Sequence, residues 1–100
     1  MNNNFMNEIF DSINYFNNLS EQVLPILADD VLNIVNSKCI DINEIEHCLD
    51  DIFNICYNDK AIVLFNKLCD YYDLINKEAS DDYRQFLYDY YLKDNVKVKK

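Results

Sequence analysis

The residues with the most chemistry to offer in this 100-residue chain are one histidine, His47, and four cysteines, at positions 39, 48, 56 and 69. A nucleophilic thiol needs a base beside it, and Cys48 follows His47 directly. Neighbours on a helix point about 100° apart and do not face each other, so Cys39 or Cys56 would have to be brought to the imidazole by the fold. Glu44 and His47 stand three residues apart, a step that sets a carboxylate and an imidazole on one helical face, as di-iron bundles require. Such centres need a second step of that kind and two more inward glutamates, which the sequence lacks. Structural zinc sites want close ligand pairs such as Cys-x-x-Cys, and the cysteine spacings here are 9, 8 and 13. The simpler role for Cys48, Cys56 and Cys69 is core packing as small apolar side chains, and for His47 a solvent-facing position on an acidic helix.

Carboxylates come in doublets, Asp29-Asp30, Asp50-Asp51 and Asp81-Asp82. General acid–base catalysis separates the proton affinities of two carboxylates by burying one beside the other. These doublets fall at caps and polar faces, where water keeps them ordinary. The chain has no glycine, and a phosphate-cradling loop needs the positive φ values and close backbone approach that glycine supplies. The expectation is a non-enzymatic protein with no catalytic residues, no cofactor and no metal.

A denser signal lies between Cys69 and Leu92, which holds six of the eight tyrosines, interleaved with aspartates. Tyr72 and Tyr83 fit an inward helical stripe, whereas Tyr71, Tyr88 and Tyr91 fall off it and are expected to present their rings to solvent or to one another. Tyrosine offers a large contact area with few rotatable bonds and is enriched among residues that dominate binding energy. With Asp70, Asp73, Asp82 and Asp89, these three tyrosines form the expected partner-binding face. Glu44, Glu46, Asp50 and Asp51 form a second acidic face.

The charge points to the kind of partner. The chain carries 18 acidic and 9 basic residues, and three of the basic ones, Lys97, Lys99 and Lys100, fall in the last four positions, so residues 1–96 carry 6 − 18 = −12. A field of that sign repels nucleic-acid phosphates and anionic lipid and attracts basic proteins, so direct nucleic-acid binding is not expected. No run of 18 apolar residues exists to span a membrane, and the first eight residues lack the basic and apolar regions of a signal peptide. A cytoplasmic setting with reduced cysteines is therefore expected.

The elements that must position these groups all read as helix. Apolar residues recur at three- and four-residue steps, separated by capping chemistry. Phe5, Ile9, Ile13 and Phe16 stripe a first helix over about 3–18. Ser20 can cap a second element, which either starts near Pro25 or kinks there, and which buries Leu24, Leu27, Val31, Ile34 and Val35. Asp41 with Glu44 opens a third helix whose stripe is Ile45, Cys48, Leu49, Ile52, Phe53 and Cys56. Asn58 or Asp59 opens a fourth, ending near Lys77, with Ile62, Phe65, Leu68, Cys69, Tyr72 and Ile75 inward. Ser80 begins a fifth, with Tyr83, Phe86, Leu87 and Tyr90 inward. Asn18, Asn36 and Asn58 are the expected left-handed helix ends. The fold class is all-α: a small compact bundle of four to five short helices, forming one domain over 1–95 with a basic tail, 96–100, that frays.

In size, charge and helical character the chain resembles the small acidic immunity proteins of colicin and contact-dependent inhibition systems. In the colicin nuclease immunity group a tyrosine pair beside acidic residues touches the toxin, and Asp70-Tyr71-Tyr72-Asp73 is similar to it. The proline that follows that pair in the family, and its nearby glycines, are missing here. The resemblance implies an immunity protein or antitoxin of bacterial type whose partner is a basic, nuclease-type toxin. Two other classes compete: a phage or mobile-element counter-defence inhibitor, of anti-CRISPR type, that mimics nucleic acid, and a helical adaptor receiving a partner helix in an apolar groove. Either a monomer or a homodimer is compatible with the sequence.

Overall fold

The computed structural model describes residues 2–93, with side chains from Asn18 onward. Among these residues there are three α-helices, α1 (Asn2–Asn36), α2 (Ile42–Phe53) and α3 (Asp59–Leu87), followed by a π-helical turn (Tyr88–Leu92), and no strand. None of the helices is long and apolar enough to cross a membrane. The all-α expectation is met, but three helices replace the expected four to five, for two separate reasons.

The first reason is that α1 runs through the expected helix end near 18 and the expected start at Ser20, with Pro25 inside it and not at a helix start. Proline removes one backbone donor and crowds the preceding turn, at a cost of about 3 kcal/mol. Against that, Leu27, Val31 and Ile34 are buried, and Val23 and Leu24 pack beside them. Each fully buried aliphatic side chain contributes about 1.5–3 kcal/mol, so one continuous stripe outweighs the lost bond. Ser20 is thus no cap; it is buried within α1 and accepts a bond from the Asn58 amide at 3.2 Å.

The second reason is Asn76, where α3 breaks without ending. Its backbone (φ −152°, ψ 88°) is non-helical, and its side-chain oxygen accepts the Ala79 N–H at 3.0 Å. That is an N-cap three residues before its partner, so the second arm of α3 begins at 77 and not at Ser80. Ser80 is instead fully buried, its hydroxyl donating to the Cys69 carbonyl at 2.8 Å. In a straight helix, residues eleven apart are separated by about 16 Å along the axis. Their hydrogen bond means that the arm 77–87 folds back beside the arm 59–75.

The core sits where the three helices meet. Ile45, Leu49 and Ile52 of α2 and Phe65, Leu68, Cys69 and Tyr72 of α3 have no exposed surface, matching the stripes read from spacing. Four free cysteines are present, three of them buried. Asp41 caps α2 as expected, accepting from the N–H groups of Asn43 and Glu44. Asn58 caps α3 by accepting from the Lys60 N–H at 2.9 Å, and its amide donates to Ser20 and Glu21, fastening α3 to α1. The stripe Phe5, Ile9, Ile13 and Phe16 and the tail 96–100 lie outside the described side chains and residues.

The helix end after α1 corrects another expectation. None of Asn18, Asn36 and Asn58 is left-handed, since the first two lie within α1 and the third is an extended N-cap. Lys38 takes φ 55° and closes a Schellman motif, with Cys39 N–H on the Ile34 carbonyl (3.0 Å) and Lys38 N–H on that of Val35 (3.2 Å). A side chain at that φ costs about 1–2 kcal/mol, part of which glycine's greater unfolded-state freedom offsets. Replacing Lys38→Gly is therefore expected to stabilise the fold by about 0.5–1 kcal/mol in urea denaturation followed by circular dichroism, and Lys38→Val to destabilise it.

Candidate functional site

Folding the second arm of α3 back on the first places one arginine among three carboxylates. Arg84 is the chain's only arginine. Its guanidinium donates to both oxygens of Asp73 (2.8 and 2.9 Å), to Asp70 at 2.8 Å and to Asp81 at 3.2 Å, and it reaches the Ser80 hydroxyl at 3.1 Å. The two bonds to Asp73 are the bidentate fork that makes arginine–carboxylate pairs strong and directional. Those bonds hold the Asp73 carboxyl down at about 2, against an ordinary 3.8, although partial burial works the other way. The same pair pushes Arg84 above its usual range. Asp70 and Asp73, expected to greet a partner, are thus occupied within the chain.

Two of the three expected contact tyrosines are also occupied. Tyr71 is half-buried and donates its hydroxyl to the Cys39 carbonyl at 2.7 Å. Tyr91 is half-buried, donates to the Phe53 carbonyl at 2.7 Å, and packs edge-on against the Phe53 ring at 5.2 Å. Each phenol spans the layer between core and water with its polar tip satisfied, which periodicity alone does not disclose. Tyr88, Asp82 and Asp89 are exposed as expected.

The end of α3 instead turns outward two rings that spacing had assigned to the core. Phe86 is 60% and Tyr90 69% exposed, while Leu87 stays buried. The π-helical turn carries fewer degrees per residue than an α-turn, so after Leu87 it is Tyr91 that returns to the inner face and Tyr90 that swings out. Tyr90 lies over Phe53, with ring centres 5.5 Å apart, and Phe86 meets Tyr83 at right angles, 6.3 Å apart.

These rings line a cleft of about 390 Å³ between α2 and the end of α3, with Asp50 and Asp89 also in its lining. Asp50 accepts the Tyr83 hydroxyl at 3.1 Å, and Asp89 accepts the Gln85 amide at 3.0 Å. Burial, and then the Asp50 carboxylate, raise the Tyr83 phenol well above its ordinary value, so it remains a hydrogen-bond donor. The cleft joins one residue from each expected acidic face, since Asp50 comes from α2 and Asp89 from the π-turn.

The remaining members of the second acidic face serve other contacts. Glu46 is half-buried and accepts the Tyr72 hydroxyl at 2.6 Å, which with burial raises that phenol. Glu44 accepts the Cys39 thiol at 3.1 Å. Asp51 sits 3.6 Å from His47, whose side chain is 81% exposed. Glu44, His47 and Asp51 line a second, smaller hollow of about 240 Å³ with Asp30. Among the described residues, no group of three or more histidine, cysteine, aspartate or glutamate side chains is arranged to hold a metal ion. Burial pushes the Cys48 and Cys56 thiols up to about 12 and Cys69 up to about 11, so these three stay protonated at neutral pH.

Comparison with known proteins returns no match: no family model, curated protein or solved structure matches this chain.

Arg84→Ala is expected to cost about 2 kcal/mol of stability by urea denaturation, and Arg84→Lys to recover less than half of it, because a lysine cannot fork. The lowered pKa of Asp73 fixes the sign of the pH effect: the contribution is whole above the unfolded value of 3.8 and is lost as pH falls towards 2. Wild type is expected to lose stability across that interval more steeply than Asp73→Asn, when both are unfolded with urea at a series of pH values.

Proposed function

We propose that the chain is a non-enzymatic acidic inhibitor, an immunity protein or antitoxin that binds and blocks a basic, nuclease-type toxin. The observation that supports this reading most is the cleft at the end of α3, where exposed Phe86 and Tyr90 stand beside Asp50 and Asp89 on a chain of net charge −9. Exposed aromatic rings supply contact area, and carboxylates beside them, with no ion pair among the described residues, attract and orient a cationic surface. Nuclease sites grip phosphate with positive charge, so an acidic, pre-folded surface that covers one also excludes its substrate. The contact face differs from the one read in the sequence: Asp82, Tyr88 and Asp89 remain in it, Asp50, Phe86 and Tyr90 join it, Asp73, Tyr71 and Tyr91 are half-buried supports, and Asp70 stays exposed but paired with Arg84.

A counter-defence inhibitor acting as a nucleic-acid mimic needs carboxylates in free, regular rows. Here Asp70, Asp73 and Asp81 converge on one arginine, which weighs against it. The adaptor reading has a specific observation in its favour. An apolar groove of about 190 Å³ between α1 and α3 is lined by Leu24, Ala28, Val63 and Leu64 between Lys60 and Lys67, a shape that suits an amphipathic acidic helix.

Co-expression with the product of the adjoining reading frame separates these readings. The inhibitor reading expects a basic toxin there whose nuclease activity is silenced, and a stopped-flow association rate that falls about tenfold or more as salt rises from low to high ionic strength. A rate indifferent to salt favours the groove adaptor, and a nuclease left active refutes inhibition.

A further inference from the structure

The cleft has features that specify its occupant more closely than "basic". Among the described residues, no lysine or arginine lines it, although two carboxylates do. Both carboxylates are already oriented: Asp50 through one oxygen by the Tyr83 hydroxyl, and Asp89 through one oxygen by Gln85. The second oxygen of each lies outside those bonds, so a donor arriving from a partner meets acceptors whose ordering has been completed by folding. Phe53 and Tyr83 are half-buried and form the back of the cleft, while Phe86 and Tyr90 stand out as walls. At about 390 Å³, the volume falls at the small end of the roughly 300–1,000 Å³ typical of ligand pockets, which suits a single long side chain.

We infer that this cleft is a specific subsite for one arginine side chain of a protein partner, with the guanidinium stacked on Phe86 or Tyr90 and hydrogen-bonded to Asp50 and Asp89. The inference rests on the basic-partner reading above and names the group that reading leaves open. A guanidinium is flat and weakly hydrated, so it sheds water to lie on a ring face, and its five donors can serve two carboxylates at once. A lysine ammonium is a compact, strongly hydrated point charge, for which the ring walls offer less. An uncharged aliphatic side chain would fill the same rings but leave Asp50 and Asp89 desolvated without a donor.

The experiment uses the full chain, hexa-arginine and hexa-lysine peptides at about physiological ionic strength, and two-dimensional NMR of the aromatic side chains. Hexa-arginine is expected to shift the Phe86 and Tyr90 ring resonances and to bind at least about fivefold tighter than hexa-lysine. Phe86→Ala and Asp89→Asn alter exposed side chains, so the fold should persist by circular dichroism; each is expected to weaken hexa-arginine by about three- to tenfold, with hexa-lysine nearly unchanged by Phe86→Ala and weakened less than hexa-arginine by Asp89→Asn. Equal binding of both peptides with no loss in either variant overturns the arginine subsite but leaves the basic-partner reading standing, as attraction by diffuse charge. Failure of both peptides to bind overturns the subsite and the basic-partner reading together.

Discussion

The fold-back of α3 is the constraint on which the C-terminal half of this protein depends. A 29-residue helix left straight would carry its last residues far from α2. Asn76 interrupts it, and Arg84 closes the corner by forking onto Asp73 and reaching Asp70 and Asp81. Without the arginine, the three carboxylates around it would repel one another. With it, the same carboxylates become the material of the bend. Ser80 completes the joint by bonding the Cys69 carbonyl inside the core.

What the corner positions is an aromatic layer centred on Phe53. Its ring meets Phe65 at 6.2 Å on the core side and Tyr90 and Tyr91 on the other, and its carbonyl accepts the Tyr91 hydroxyl. The layer is thus continuous from the buried Phe65 to the exposed Tyr90. Rings so placed hold the π-turn against α2 and, at the same time, leave one side of the layer open beside Asp50 and Asp89. Structural and binding roles divide by exposure. Tyr71, Tyr72 and Tyr91 spend their hydroxyls on partners within the chain, whereas Phe86 and Tyr90 keep most of their surface in water.

Much of this was legible in the sequence, and the misses share one cause. The stripes through Leu27, Val31 and Ile34, through Ile45, Leu49 and Ile52, and through Phe65, Leu68 and Tyr72 are set by helical periodicity, which is local and survives in the fold. The caps at Asp41 and Asn58 were readable because side-chain capping is also local. The break expected between 18 and Ser20 is absent because a capping signal is local while the packing that carries α1 through it, and through Pro25, is not. Ser80 and Asn76 are equally good caps on paper, and only the contact with Cys69 decides that serine goes to the core and asparagine to the corner. The candidate site was half visible. Asp50, Asp82, Tyr88 and Asp89 carry the legible half; Tyr90 reads as inward because a π-turn has no distinct sequence period, and Phe86, within α3, reads as inward by its spacing from Tyr83 although the neighbouring Leu87 takes the buried position. A lone arginine within fifteen residues of Asp70, Asp73, Asp81 and Asp82 is a sequence signal of an internal clasp.

Arg84, by closing the corner at Asn76, sets the aromatic end of α3 against α2. Nuclear Overhauser contacts between the Phe53 ring and the rings of Tyr90 and Tyr91 test it most directly, measured in wild type and in Arg84→Ala under conditions where both remain folded. The account expects these contacts to weaken or vanish in the variant while those between Phe53 and Phe65 persist. Unchanged contacts from Phe53 to Tyr90 and Tyr91 in the variant would contradict it, because the aromatic layer would then stand without the clasp.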